Sequence, residues 1–256
     1  MSSLAPAEAR PKRNIRLVVA YDGQPFSGWQ IQPGVPTIQG EIEAVLEKLT
    51  QAPCRIRGAG RTDAGVHAEC QIATFLSDTH LSCFRLHRSL NSLLPKAIAI
   101  RSVDDVDANF DPRRGNFGKR YRYRIYRPRE RDTLITPRAW RIFGDLDLQR
   151  MARAAQRLVG RHDFAAFRAA NCQIKTTTRT LYRVSLSFDA PLLIIDVEGT
   201  AFLKNMVRIL VGTLVSVGRG HLSEDDVSAL LLNGQRRDAG ITAPARGLTL
   251  ERVFLR

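Results

Sequence analysis

The chain has 256 residues, 44% hydrophobic and 25% charged, with 39 lysines and arginines against 25 acids for a net charge of +14. Those figures are ordinary for a soluble globular protein with a real core, in one large or two modest domains, and no apolar run approaches the roughly 20 residues of a membrane span. The positive excess gathers polyanions, nucleic acid first among them, although 33 arginines against 6 lysines also fit a basic surface that serves solubility.

MSSLAPAEARPKR opens without an apolar stretch and reads as a disordered basic arm over 1–13, with no secretory signal. IRLVVAY (15–21) alternates as a strand, and Thr37 can cap a helix whose Ile38, Ile42, Val45, Leu46 and Leu49 share a face. Strand-like stretches at 54–58 and 70–76 flank the glycine-bearing GAGRTDAGVHAE. Ser82 opens a helix with Leu86, Leu90, Leu93 and Leu94 on one stripe, ended by Pro95, and AIAIRSV (97–103) is a strand. The order β-α-β-β-α-β then recurs. KRYRYRIY (119–126) is a strand, Asp147 to Val159 a helix stopped by Gly160, LYRVSLSF (181–188) and LLIIDVE (192–198) two strands. FLKNMVRILVGTLVSV (202–217) is an apolar helix, Ser223 and Asp226 begin a short extra one, and TLERVFL (249–255) closes as a strand.

The pattern predicts an α+β fold of two tandem ferredoxin-like halves, 14–104 and 119–256, joined by a linker at 105–118. Their sheets lie side by side with helices on one face and a central cleft suited to folded RNA. Cys54, Cys70, Cys83 and Cys172 form no C-x-x-C pair, so the expectation is reduced thiols, no metal site and a cytoplasmic location.

The segment GAGRTDAGVH (58–67) is the richest in chemistry. Its three glycines let backbone approach a ligand, beside one guanidinium (Arg61), one carboxylate (Asp63) and one imidazole (His67). The plain alternative is a tight turn in which Asp63 bonds its own backbone. Residues 113–131 hold nine basic groups against Glu130 alone. Arg120, Arg122 and Arg124 alternate with Tyr121 and Tyr123, giving either a phosphate-contacting ridge or a solvated edge guarded by charge. Arg208 in the apolar helix reads on its own as an arginine whose head reaches out of the core.

GRTDAGVH closely resembles the signature loop of the tRNA pseudouridine synthase A family. The likeness extends in order through Tyr21-Asp22-Gly23 with Gly28-Trp29-Gln30, Asn91 to Pro95, Lys119 to Tyr123, Asp163-Phe164 with Phe167, Phe202 with Met206-Val207-Arg208, and Ala243 to Leu248. It departs at Phe110-Asp111-Pro112-Arg113, where relatives carry F-H-A-R, and in one extra residue between Gly23 and Gly28. The resemblance implies an isomerase that turns uridine into pseudouridine at positions 38, 39 and 40 of the tRNA anticodon stem-loop, as a homodimer. It implies Asp63 as the catalytic carboxylate, Arg208 as its ion-pair partner, Tyr121 stacking on the uracil, Arg61 entering the vacated stem and Leu248 lining the pocket. Arg120, Arg122 and Arg124 are further candidates for substrate contact.

Chemistry fits those roles. Substrate and product are isomers, so no cofactor is required, and a carboxylate can attack C1′ or take a proton from C2′. A base stacked in a stem must be extruded at a few kcal/mol, of which an aromatic face returns about 1–3 kcal/mol. The competing readings are a non-catalytic tRNA-binding or chaperone module of the same fold and another RNA base enzyme such as a glycosidase or methyltransferase. The latter lacks a cofactor-binding glycine motif and a second pocket carboxylate. His67 is expected to orient or to bond backbone.

Overall fold

The computed structural model describes residues 11–170, 172 and 174–255. Most of the arm expected over 1–13 therefore lies outside the described residues, and Arg13 already belongs to a strand. That strand, β1 (Arg13–Tyr21), buries Ile15, Leu17, Val19 and Tyr21, the period of two that its sequence carries. Thr37 accepts from the Gly40 amide and starts α1 (Ile38–Thr50), a cap that contributes about 1 kcal/mol. β2 is only Arg57–Gly58, shorter than the expected 54–58. The buried side chains of Glu43 and Gln39 take up the amide and carbonyl of Ile56, so that residue needs no strand partner. β3 (His67–Ser77), α2 (Cys83–Leu93, capped by Ser82) and β4 (Ile98–Val106) complete the first half.

β5 (Asn116–Tyr126) starts three residues before the alternation that marks it in the sequence. The connection ahead of it is tied down by Asn14, whose side-chain amide donates to the carbonyls of Asp107 and Phe110, each at 2.9 Å. Then come β6 (Trp140–Arg141), α3 (Leu148–Arg157) and β7 (Gly160–Asp163). Neither β6 nor β7 is long enough for periodicity to register. Gly160, at φ +116°, leaves α3 and also begins β7. The chain ends with β8 (Thr178–Asp189), β9 (Leu192–Gly199), α4 (Met206–Gly218), α5 (Glu224–Asn233) and β10 (Leu248–Leu255). α4 begins after the expected Phe202 because Asn205 adopts φ +61°, a left-handed conformation outside the helical range. α5 has the Ser223–Asp226 capping box read from its sequence.

The fold is mixed α+β, as expected. The strands of both halves join edge to edge in one ten-stranded sheet, ordered β4-β1-β3-β10-β5-β9-β8-β7, with β2 on β3 and β6 on β5. Each half thus places its opening strand between its closing strand and another: β1 between β4 and β3, β5 between β10 and β9. α1 packs on α2, and α3 packs on both α4 and α5. Along β5, Tyr121, Tyr123 and Ile125 are buried, while Arg120, Arg122 and Arg124 face the other way and stay part-exposed.

The seam between halves is short. Only His67 and Ala68 of β3 pair with Thr249 and Leu250 of β10, in parallel. His67 reinforces it with its ring, which is 5% exposed. Nδ1 accepts from the Gly23 amide at 3.2 Å, and Nε2 donates to the Arg246 carbonyl at 3.1 Å. An amide can only donate, so Nδ1 is unprotonated and the ring neutral. Asp22 also lies 3.2 Å from Nδ1 and favours the cation, but burial outweighs it and pushes the pKa down. With the folded value below the ordinary 6.5, the unfolded chain protonates first, and stability is lost as pH falls through that window. Between about pH 7 and pH 5 the melting temperature should drop more steeply for the parent than for His67→Gln, whose amide never charges. Parallel curves would show that this imidazole does not titrate on unfolding.

Candidate active site

The loop between β2 and β3 carries Arg61 and Asp63, and two other sequence motifs hold it from behind. Tyr21 bonds the Thr62 hydroxyl at 2.7 Å in the buried interior. The Trp29 amide donates to the Thr62 carbonyl at 3.1 Å, and the Gly65 amide to Phe26 at 3.4 Å. Gly28 sits at φ +94°, and a Cβ there would stand 2.8 Å from the Thr62 carbonyl oxygen; one on Gly23 would stand 2.0 Å from that of Val66. Backbone lies directly on backbone at both points, which only glycine permits. The segments Tyr21-Asp22-Gly23 and Gly28-Trp29-Gln30 are thus clamps that fix where residue 63 points.

Asp63 is half-buried. Burial raises its pKa, opposed first by the Arg208 charge, then by a hydrogen bond from the Asn205 amide and by the Lys204 charge. The structure therefore brings residues 63 and 208 to one site, from opposite halves of the chain. Their attraction acts through space. The Arg208 Nε donates to the Ala243 carbonyl at 2.7 Å and Nη1 to the Asn205 Oδ1 at 3.0 Å, with no direct ion pair to Asp63 among the described residues. These bonds aim the guanidinium, whose own pKa is lowered by burial and sustained by Asp63.

Asn205 has a part that the sequence reading missed. It is the cap residue of α4, yet its side chain makes no capping bond; it holds Arg208, while its backbone amide serves Asp63. The positive end of the α4 dipole adds to the same field. The available signal was an asparagine just before the apolar helix, a residue type that caps helices and tolerates left-handed backbone.

The other predicted residues divide into two groups. Tyr121 is 7% exposed, meets Phe202 edge-on at 5.1 Å between ring centroids, and feels the Asp63 charge; burial, Tyr21 and Asp63 all push its pKa up, so its hydroxyl stays protonated. Arg61 is exposed on the loop tip two residues from Asp63. Leu248 is buried at the start of β10, paired with Tyr123, whose hydroxyl donates to the Pro244 carbonyl at 2.8 Å. Arg120, Arg122 and Arg124 are not gathered here. They lie on the sheet face away from Tyr121, each matched to acidic or polar neighbours across the strands. Arg120 pairs with Glu198 at 2.8 Å, Arg122 with Asp196 at 2.8 Å and Glu251 at 2.7 Å, and Arg124 with Glu69 at 3.5 Å and the Thr249 hydroxyl at 2.9 Å. Alternation along β5 puts tyrosines and arginines on opposite sides, and the neighbouring strands supply the carboxylates.

A half-buried carboxylate kept available by a fixed cation and a helix N-terminus, beside an aromatic ring, is equipped for nucleophilic or basic attack on a sugar. The sequence profile of the family described as tRNA pseudouridine synthase matches residues 17–113 and 154–254. The protein named tRNA pseudouridine synthase A of Geotalea uraniireducens is 48% identical over 94% of this chain and 99% of its own length. That of Geobacter sulfurreducens is 44% identical over 94% and 99%, and that of Myxococcus xanthus 46% identical over 94% and 92%. Among solved structures, the archaeal box H/ACA sRNP Nop10-Cbf5 complex aligns at 13% identity and a TM-score of 0.40, over 98% of this chain and 50% of the other. With its profile matched in both halves and such relatives along nearly its whole length, this chain belongs to the tRNA pseudouridine synthase family.

Proposed function

We propose that this isomerase converts uridine to pseudouridine at positions 38, 39 and 40 of the tRNA anticodon stem-loop, with Asp63 as the group that acts on the ribose. The observation that carries the reading is the Asp63 carboxylate, half-buried and kept toward its anion by the Arg208 charge, the Asn205 amide and the Lys204 charge. In the reaction the N1–C1′ bond breaks, the uracil turns over, and a C5–C1′ bond forms while C5 gives up its hydrogen as a proton and N1 takes one up from solvent. The ionised carboxylate starts either route, by attack on C1′ or by removing the C2′ proton. Tyr121 offers its ring to the flipped base, Arg61 enters the gap left in the stem, and Leu248 closes the apolar side of the pocket. Family membership supports the reaction and the tRNA substrate. The anticodon-arm positions and a homodimer come with the resemblance, a cytoplasmic location with the unpaired cysteines, and the lack of need for a cofactor with the isomeric relation of substrate and product. The alternative of a non-catalytic tRNA-binding module leaves unexplained why a carboxylate is held at an electrostatic cost to the fold.

Three variants test this reading. Asp63→Asn should abolish tritium release from C5-labelled uridine in tRNA while keeping tRNA affinity within about threefold; release at the parental rate would end the assignment. Because burial raises the Asp63 pKa above its ordinary 3.8, its contribution to stability is lost as pH rises through the folded value. The same variant should accordingly melt higher than the parent at neutral pH, and the gap should close in acid. Arg208→Met removes the main charge that favours the anion, so the acid limb of the kcat/KM profile should move to higher pH; an unmoved limb would mean that Arg208 does not act on Asp63. Finally, Arg61→Ala should cost about tenfold more turnover on uridines paired in a stem than on unpaired ones, since only paired targets need the vacated space filled. Equal losses would remove Arg61 from base extrusion.

A further inference from the structure

Lys119 is a cation that the fold buries without an anion. It lies on β5 two residues before Tyr121 and on the same face, and it is 8% exposed. Its Nζ donates to the Asn116 Oδ1 at 3.0 Å, and among the described residues no carboxylate pairs with it. Arg113, a like charge, is the charged group acting on it. The strands beside it offer Gly199 and Val253 at its register, and the catalytic loop offers Gly60. Burial, with Arg113, lowers its pKa to about 8. The contrast along the strand is sharp: outward-facing Arg120, Arg122 and Arg124 each have a carboxylate, and inward-facing Lys119 has none. Buried charges in settled structures are paired.

The surroundings say what kind of anion is missing. The lysine stem runs along the catalytic loop, where a Cβ on Gly60 would stand 3.0 Å from its Cε. Gly60 directly precedes Arg61, so the ammonium sits beside the loop tip. The charges that act on Asp63 are Arg208 and Lys204, so Lys119 belongs outside the reacting carboxylate. We infer that Lys119 is a substrate-binding residue that takes a backbone phosphate of the RNA strand next to the target nucleotide. The inference rests on the function proposed above, since that substrate brings phosphates to this loop.

The test uses the full-length enzyme, unmodified tRNA transcript and the variants Lys119→Met and Lys119→Arg. Removing one charge-assisted phosphate contact should raise Kd and KM about tenfold with kcat held within about twofold. The slope of log Kd against log salt should fall by about 1. Lys119→Arg should restore affinity and slope. The parent's affinity should weaken as pH rises through about 8, where the lysine loses its charge, and that of Lys119→Arg should not. A buried charge below its folded pKa weighs against the fold, so Lys119→Met should melt no lower than the parent at neutral pH. Parental Kd and salt slope in Lys119→Met, or lost affinity matched by a lower melting temperature, would overturn the inference and leave the catalytic assignment standing. A parent enzyme that binds tRNA but releases no label would instead overturn the proposed function.

Discussion

A carboxylate half-withdrawn from water tends to take up a proton, and the reaction proposed for this enzyme needs it without one. That tension organises the site. Burial raises the Asp63 pKa, and three groups oppose it: the Arg208 guanidinium, the Asn205 amide and the Lys204 ammonium. All three stand in or just before α4, in the half of the chain that does not carry Asp63. The two halves must therefore meet correctly for the carboxylate to be usable, and the accuracy of that meeting is set far from the chemistry.

Its accuracy depends on little sheet pairing. Two residue pairs join β3 to β10, and a strand contact of that length is marginal alone. The His67 ring adds ties to Gly23 and Arg246, so the segment that clamps the Asp63 loop, the strand that follows the loop and the turn before Leu248 share one side chain. The loop itself is positioned by close backbone contact at Gly23 and Gly28 and by the Tyr21–Thr62 bond. In the proposed reaction, residues with no part in bond making thus decide whether the Asp63 oxygen reaches the sugar, and small displacements at such sites cost large factors in rate.

Much of this was legible in the sequence. The period of two in 15–21 and 119–126 and the caps at Thr37, Ser82 and Ser223 located the main elements, because each is a local property of the chain. The motif residues 61, 63, 121 and 208 were found by likeness to a family; what likeness could not show is that Arg208 reaches Asp63 through space, held by Ala243 and Asn205. Asn205 and Lys119 went unassigned because their significance depends on partners more than 100 positions away or on partners that are missing. Arg120, Arg122 and Arg124 show the converse. Alternation told which way they point, but the acids that occupy them come from β9, β10 and β3, and strand order is not written in local pattern.

The pairing of those arginines has an effect on how a tRNA arrives. Three guanidinium groups set among Glu69, Asp196, Glu198 and Glu251 form a patch whose positive charges are matched by acids. That patch contributes nothing to the whole-chain excess of +14. A polyanion feels such a patch only within about a Debye length, roughly 8–10 Å at physiological salt. The acids around these arginines therefore weaken the pull that this patch of strand surface exerts on a polyanion.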